Sequence, residues 1–204
     1  MGWSRVRRSA FGTRHSAILA AAILTQVVSA SAQRALSPAT VKSGSLSFDG
    51  KATAGDFTAT TTTVSGEMSG GASLAEVRGW VEAPVNTLTS GNGRRDRDLN
   101  KSMQSDKFPT VRFDLESVRT EWERGDSASV VLGGAFTIHG VKRETELPAT
   151  VLFEPEGIRV KSSFPLNLKD YQIGGLSKFL GVLKMHPDII VHVDVLFGGA
   201  PAPQ

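Results

Sequence analysis

The chain of 204 residues contains no cysteine, which excludes a disulfide scaffold, a thiolate zinc site, a cysteine nucleophile and a lipid-modified N-terminal cysteine. Histidine is nearly as scarce. Beyond His15 the chain carries His139, His186 and His192, with no pair at the i, i+4 spacing of a helical zinc site. A Gly-x-Ser-x-Gly nucleophile elbow, a phosphate-cradling glycine loop and a dinucleotide fingerprint are all missing; Gly91-Asn92-Gly93 has neither the third glycine nor a preceding βα unit. Neighbouring carboxylates such as Asp96 and Asp98 read as surface. The expectation is a non-catalytic protein without metal or cofactor. Charge of one sign is lacking as well. The net +3 rests on 23 basic against 20 acidic residues, and four of the basic ones, Arg5, Arg7, Arg8 and Arg14, lie in an acid-free stretch of the first 32 residues. The remaining 19 basic residues are balanced by 20 acidic ones, which leaves no basic excess for a nucleic-acid footprint.

What is present begins with an address. After the arginine-rich start, an apolar run extends from Ala17 to Val28, broken by Thr25 and Gln26, and closes on Ala30-Ser31-Ala32. Small-x-small is the pattern a signal peptidase accepts, so residues 1–32 are read as a signal peptide cleaved between Ala32 and Gln33, with a periplasmic or secreted product. Twelve helical residues span about 18 Å against a hydrocarbon core of roughly 30 Å, so a retained membrane span is not expected. Residues 33–42 are read as a flexible lead-in, and 198–204, with its Gly, Ala and Pro, as a disordered tail.

Between them the chain alternates. Val111, Phe113 and Leu115 are interleaved with Arg112, Asp114 and Glu116, the period of a half-buried strand. The same parity links Val130, Leu132, Gly134, Phe136 and Ile138, then Leu147, Ala149, Val151 and Phe153, then Ile158 to Leu168, and finally Ile189 to Phe197. Leu46–Ala54, Phe57–Val64 and Leu74–Val85 complete a set of about eight strands. Turn residues separate them at Gly70-Gly71, Gly125-Asp126, His139-Gly140 and Glu154-Pro155-Glu156-Gly157, gaps short enough for antiparallel hairpins. Arg95–Met103 fits a short helix with Asp96 as N-cap and Leu99 and Met103 four apart, and Leu176–Leu180 fits one further helical turn. Eight such strands bury their apolar faces best in a closed barrel, which removes the exposed edges a sandwich would leave. At eight strands the interior is either filled by side chains or roomy enough for one small ligand.

Three segments are similar to a known family. They are Asn86–Leu99 followed by Lys107-Phe108-Pro109-Thr110-Val111-Arg112-Phe113, then Gly134–Arg143, then Phe164-Pro165-Leu166-Asn167-Leu168-Lys169-Asp170-Tyr171. In this order and spacing the chain resembles the YceI-like family of bacterial secreted and periplasmic proteins over residues 43–197. The resemblance implies a lipocalin-like, eight-stranded antiparallel barrel with one or two short helical insertions, holding a long apolar lipid of polyisoprenoid or isoprenoid quinone type without catalysis. The chain departs from the family's usual first strand, for it has no histidine between His15 and His139.

On this reading Phe113, Leu115, Phe136, Ile138, Val151, Phe153 and Phe164 line the interior, as core or as cavity wall. Gly134 and Ala149 on the same faces leave room either for a ligand or for a bulky neighbour. Arg94, Arg95 and His139 are the candidate head-group contacts: an arginine's planar donor fork suits an anionic group such as a pyrophosphate, while local ion pairs and turn geometry are the plainer roles. Three functions follow: a lipid carrier, a packed-core module docking onto an envelope protein, and an enzyme of unrecognised constellation. The first is the expectation.

Overall fold

A computed structural model describes residues 1–2, 35–53, 55–174, 177–178 and 183–199. The expected signal peptide from residue 3 onward, its cleavage position and residues 200–204 lie outside the described residues. The strands are β1 (Ala39–Gly50), β2 (Phe57–Thr61), β3 (Ser65–Met68), β4 (Gly79–Pro84), β5 (Thr110–Arg124), β6 (Ser127–Ile138), β7 (Val141–Glu154), β8 (Gly157–Asn167), β9 (Ser177–Lys178), β10 (Leu183–Lys184) and β11 (Asp188–Gly199); of Leu74–Val85, expected as one strand, only Gly79–Pro84 is extended in the sheet, and β3 was not expected. One helix, α1 (Gly93–Met103), and short 3-10 turns at Leu74–Glu76, Val85–Thr87 and Leu168–Tyr171 complete the order.

The strands run β11-β8-β7-β6-β5-β4-β3-β1 around a sheet that closes when β1 pairs antiparallel with β11, from Ala39↔Gly199 to Asp49↔Ile190. Eight strands therefore make the barrel, and β2 is an extra one. It lies along the far half of β1 (Leu46↔Thr61 to Gly50↔Phe57), while β3 takes the near end (Ala39↔Met68). Closure satisfies the backbone donors and acceptors that open edges would present.

The boundaries differ from the sequence reading where local packing decides. The barrel begins at Ala39, inside the stretch read as flexible, because β11 and β3 flank that end of β1, and Leu36 is buried with its backbone bridged to Gly71. At the other end β11 continues through Gly198 and Gly199, paired with Thr40 and Ala39. Helix α1 starts two residues early, capped by Asn92 rather than Asp96: Asn92 Oδ1 accepts from the backbone N–H groups of Arg94 (3.1 Å) and Arg95 (3.2 Å). Ser177 and Lys178, read as part of a helical turn, pair as strand with Lys184 and Leu183.

One seam in the wall is incomplete. Pairing of β7 with β8 is confined to the stretch from Ala149↔Ser162 to Glu154↔Gly157, although β7 continues beside β6 to the hairpin pair Ile138↔Val141 and β8 beside β11 to Asn167↔Asp188. Pro148 and Pro165, each without an N–H donor, sit on the stretches that have parted. The Leu168–Tyr171 turn bridges from the end of β8 back to the β6–β7 turn, burying Leu168, Tyr171 and Ile173 in the same apolar cluster as Leu147 and Phe164. A ring N–H of His139 at Nδ1 donates to the Tyr171 carbonyl at 3.2 Å, and Arg143 Nη1 donates to the Asp170 carbonyl at 3.3 Å.

Candidate functional site

Inward-facing residues of the strands nearest α1 do not meet across the axis, and a cavity of about 710 Å³ remains. That volume falls in the range of roughly 300–1,000 Å³ typical of small-molecule sites. Its walls are apolar: Leu46 and Phe48 of β1, Val111 of β5, Ile138 of β6, and Ile189 and Val191 of β11. Leu99 and Met103, spaced four apart on α1, both line it, so this short polar helix turns its apolar stripe inward over the barrel end. Ile173 and Met185 line the cavity as well.

Polar groups gather on α1 and on the loops beside it. Asn92, Arg94, Arg95, Asp96 and Asp98 come from the start of the helix, Ser90 from the loop before it and Asp56 from the β1–β2 loop. Arg95 stands over the cavity-lining ring of Phe57, its guanidinium carbon 4.3 Å from the ring centroid, an attraction between cation and ring face that holds the fork at the rim. Asp96 turns back to the loop: its carboxylate accepts from the Ser90 hydroxyl (2.6 Å), the Ser90 backbone N–H (2.9 Å) and the Thr89 hydroxyl (3.1 Å). The Ser90 hydroxyl is the largest influence holding this carboxyl below its usual 3.8; the backbone N–H, Thr89 and the nearby Arg95 charge add to it, against partial burial. With two arginines among three carboxylates, the rim is mixed in sign rather than an anion trap.

At its inner end the cavity meets a wall of rings. Phe136 on β6 packs between Phe113 on β5 (centroids 5.6 Å apart) and Phe164 on β8 (5.8 Å). Gly134 lets the β5 backbone approach closely beside these rings: a Cβ there would lie 2.1 Å from the Asp114 carbonyl oxygen and 3.1 Å from the Phe113 ring. Beyond the rings lies a second void of about 120 Å³, bounded by Leu115, Val118, Leu132, Val151, Val160 and Val195 among others.

The sequence-read residues thus take separate places. Ile138 lines the upper cavity; Phe113, Leu115, Val151 and Phe164 line the lower void; Phe136 lines both. Phe153 lines neither and is half-buried against the lower apolar cluster. Arg94 and Arg95 line the cavity at the start of α1, whereas His139 does not line it. It occupies the β6–β7 turn, 9% exposed, with its ring edge-on to Phe108 at 4.7 Å. Both His139 (φ 52°) and Gly140 (φ 76°) have left-handed backbone, the geometry of a two-residue hairpin turn. Residues not named from sequence as cavity lining, Leu46, Phe48, Leu99, Met103, Ile173 and Met185, supply much of the upper wall. Leu46 and Phe48 share strand parity and Leu99 and Met103 share a helix face, so these four carried a readable signal; Ile173 and Met185 carried none. The packed interior expected of a docking module is not what the barrel contains. Among the described residues there is no cluster of His, Asp and Glu able to hold a metal, and no helix long and apolar enough to cross a membrane.

A family model described as the YceI-like domain matches residues 35–197. Among solved structures, the fold is similar to that of a polyisoprenoid binding domain from Saccharophagus degradans implicated in plant cell wall breakdown, at 13% identity and a TM-score of 0.64, covering 81% of this chain and 99% of that one. It is also similar to BcnA of Burkholderia cenocepacia, at 13% identity and a TM-score of 0.63, covering 74% of this chain and 94% of that one. At these identities the likeness establishes the fold. No curated protein matches the chain significantly.

Proposed function

The chain belongs to the YceI-like family, and we propose that it is a non-catalytic carrier that holds one long apolar lipid, of polyisoprenoid or isoprenoid quinone type, inside its barrel. The observation that carries this reading is the hollow upper interior, about 710 Å³ with mostly apolar walls and its charged groups gathered on α1 and the β1–β2 loop. Burial of hydrocarbon there is worth about 0.8 kcal/mol per CH₂, so a prenyl chain needs no directional contact with the walls. Arg94 and Arg95 offer N–H donors to oxygens on the head group, and the carboxylates beside them favour a head that is polar but uncharged. The similar fold of a domain named for polyisoprenoid binding supports the class of cargo. The arginine-rich, apolar N-terminus supports export to the periplasm or beyond, with cleavage between Ala32 and Gln33, where such a carrier moves a lipid between membranes or proteins.

The test is saturation. Delipidated protein is titrated with a long-chain isoprenoid quinone and passed through gel filtration without detergent. Quinone absorbance co-eluting at one molecule per chain is expected; absorbance that elutes apart from the protein at every ratio overturns the reading.

A further inference from the structure

We propose that Phe136 sets the longest chain the barrel encloses. The inference rests on the carrier reading and adds what that reading leaves open, the length of the tail. Phe136 lines the upper cavity on one side and the lower void on the other, together with Leu46 and Val111. Its ring is the largest of the three side chains and is 7% exposed, clamped between Phe113 at 5.6 Å and Phe164 at 5.8 Å. Aromatic rings at these separations attract one another beyond simple area burial, so the partition resists displacement by a tail end. The lower void, about 120 Å³, is apolar and suited to hydrocarbon, and it meets the upper one at Leu46, Val111 and Phe136, which line both.

Size gives the gauge its reading. At about 30 Å³ per carbon-sized group, the upper cavity holds roughly two dozen carbons when filled and fewer at realistic packing, close to four isoprene units. The lower void adds roughly four carbons, most of one further unit. With Phe136 in place, affinity should climb by about fourfold per methylene until the tail reaches the rings, then level off, because further carbons stay at the rim in water. Without the ring the two spaces join and the plateau moves outward.

The experiment measures binding of all-trans prenyl alcohols from about C10 to about C35, delivered from cyclodextrin, to the wild-type protein, Phe136→Ala and Phe136→Leu. The leucine variant keeps apolar bulk and guards against loss of folding in the alanine variant, with thermal melts run alongside. A wild-type plateau near C20 that shifts by at least one isoprene unit in either folded variant, with about tenfold or greater gain for the next longer alcohol relative to wild type, is the expected result. If wild type binds the series but shows no plateau, or its plateau stays in place in every variant that folds, the gauge is refuted and the carrier reading stands. If wild type takes up no alcohol of any length, the carrier reading falls and the gauge with it.

Discussion

Gly134 has no side chain where its neighbours on β6 carry Leu132 and Phe136, and the space goes to the Asp114 backbone of β5, with the Phe113 ring beside it. Ala149, the other small residue on an apolar face, is buried among valines and lines neither void. His139 is the residue whose chemistry pointed toward a ligand and whose backbone points elsewhere. A left-handed φ of 52° is tolerated by asparagine and strained for a β-branched residue. His139→Val is therefore expected to be less stable than His139→Asn by about 1–3 kcal/mol, since both lose the ring's contacts with Phe108 and Tyr171 and differ chiefly in turn strain. Urea unfolding with an unchanged m-value measures this, and equal midpoints would remove the strain argument. Strand parity made Phe113, Phe136 and Phe164 legible as inward-facing. It did not reveal that one ring would divide two spaces, because that depends on where three strands bring their rings to one level.

At the scale of elements, α1 shows how a cap is chosen. Asp96 has the right chemistry for an N-cap, but Asn92 stands one turn earlier and bonds the free N–H groups, which releases Asp96 to tie the helix to the Ser90 loop. A carboxyl whose pKa is lower folded than unfolded adds stability above its unfolded value near 3.8, and that stability is lost as pH falls through the folded value. Wild type is therefore expected to exceed Asp96→Asn in denaturant midpoint at about pH 6, with the gap narrowing as pH falls below about 3.8. A gap that persists in acid would assign the difference to packing instead. Only the general shape of this helix was readable, since the apolar spacing of Leu99 and Met103 marks a helix face without saying what it covers. The open seam between β7 and β8 was less readable still. Pro148 and Pro165 have no N–H to pair, and the Leu168–Tyr171 turn that fills the seam returns through backbone carbonyls bonded to His139 and Arg143. Those contacts join residues far apart in the chain and leave no periodic trace.

For the whole molecule, closure and hollowness are separate properties. Closure follows from strand number and turn length, and the sequence period of two carried both. Hollowness depends on the balance of large and small side chains around the circumference at each level. The lower half, dense in valine from β6, β7 and β11, collapses to about 120 Å³, and the upper half stays open beneath α1. The apolar surface facing that opening is costly in water and favours occupancy. Native mass spectrometry of the protein expressed from the full sequence in a bacterial host and purified without detergent tests this most directly, read against the masses of the whole chain and of the product of the proposed cleavage between Ala32 and Gln33, and paired with a solvent extract of the same sample. A population heavier by one long-chain isoprenoid per chain, recovered in the extract, is predicted. A bare protein mass together with an extract free of any long apolar molecule, even after incubation with quinone or polyprenyl lipid, would contradict a carrier.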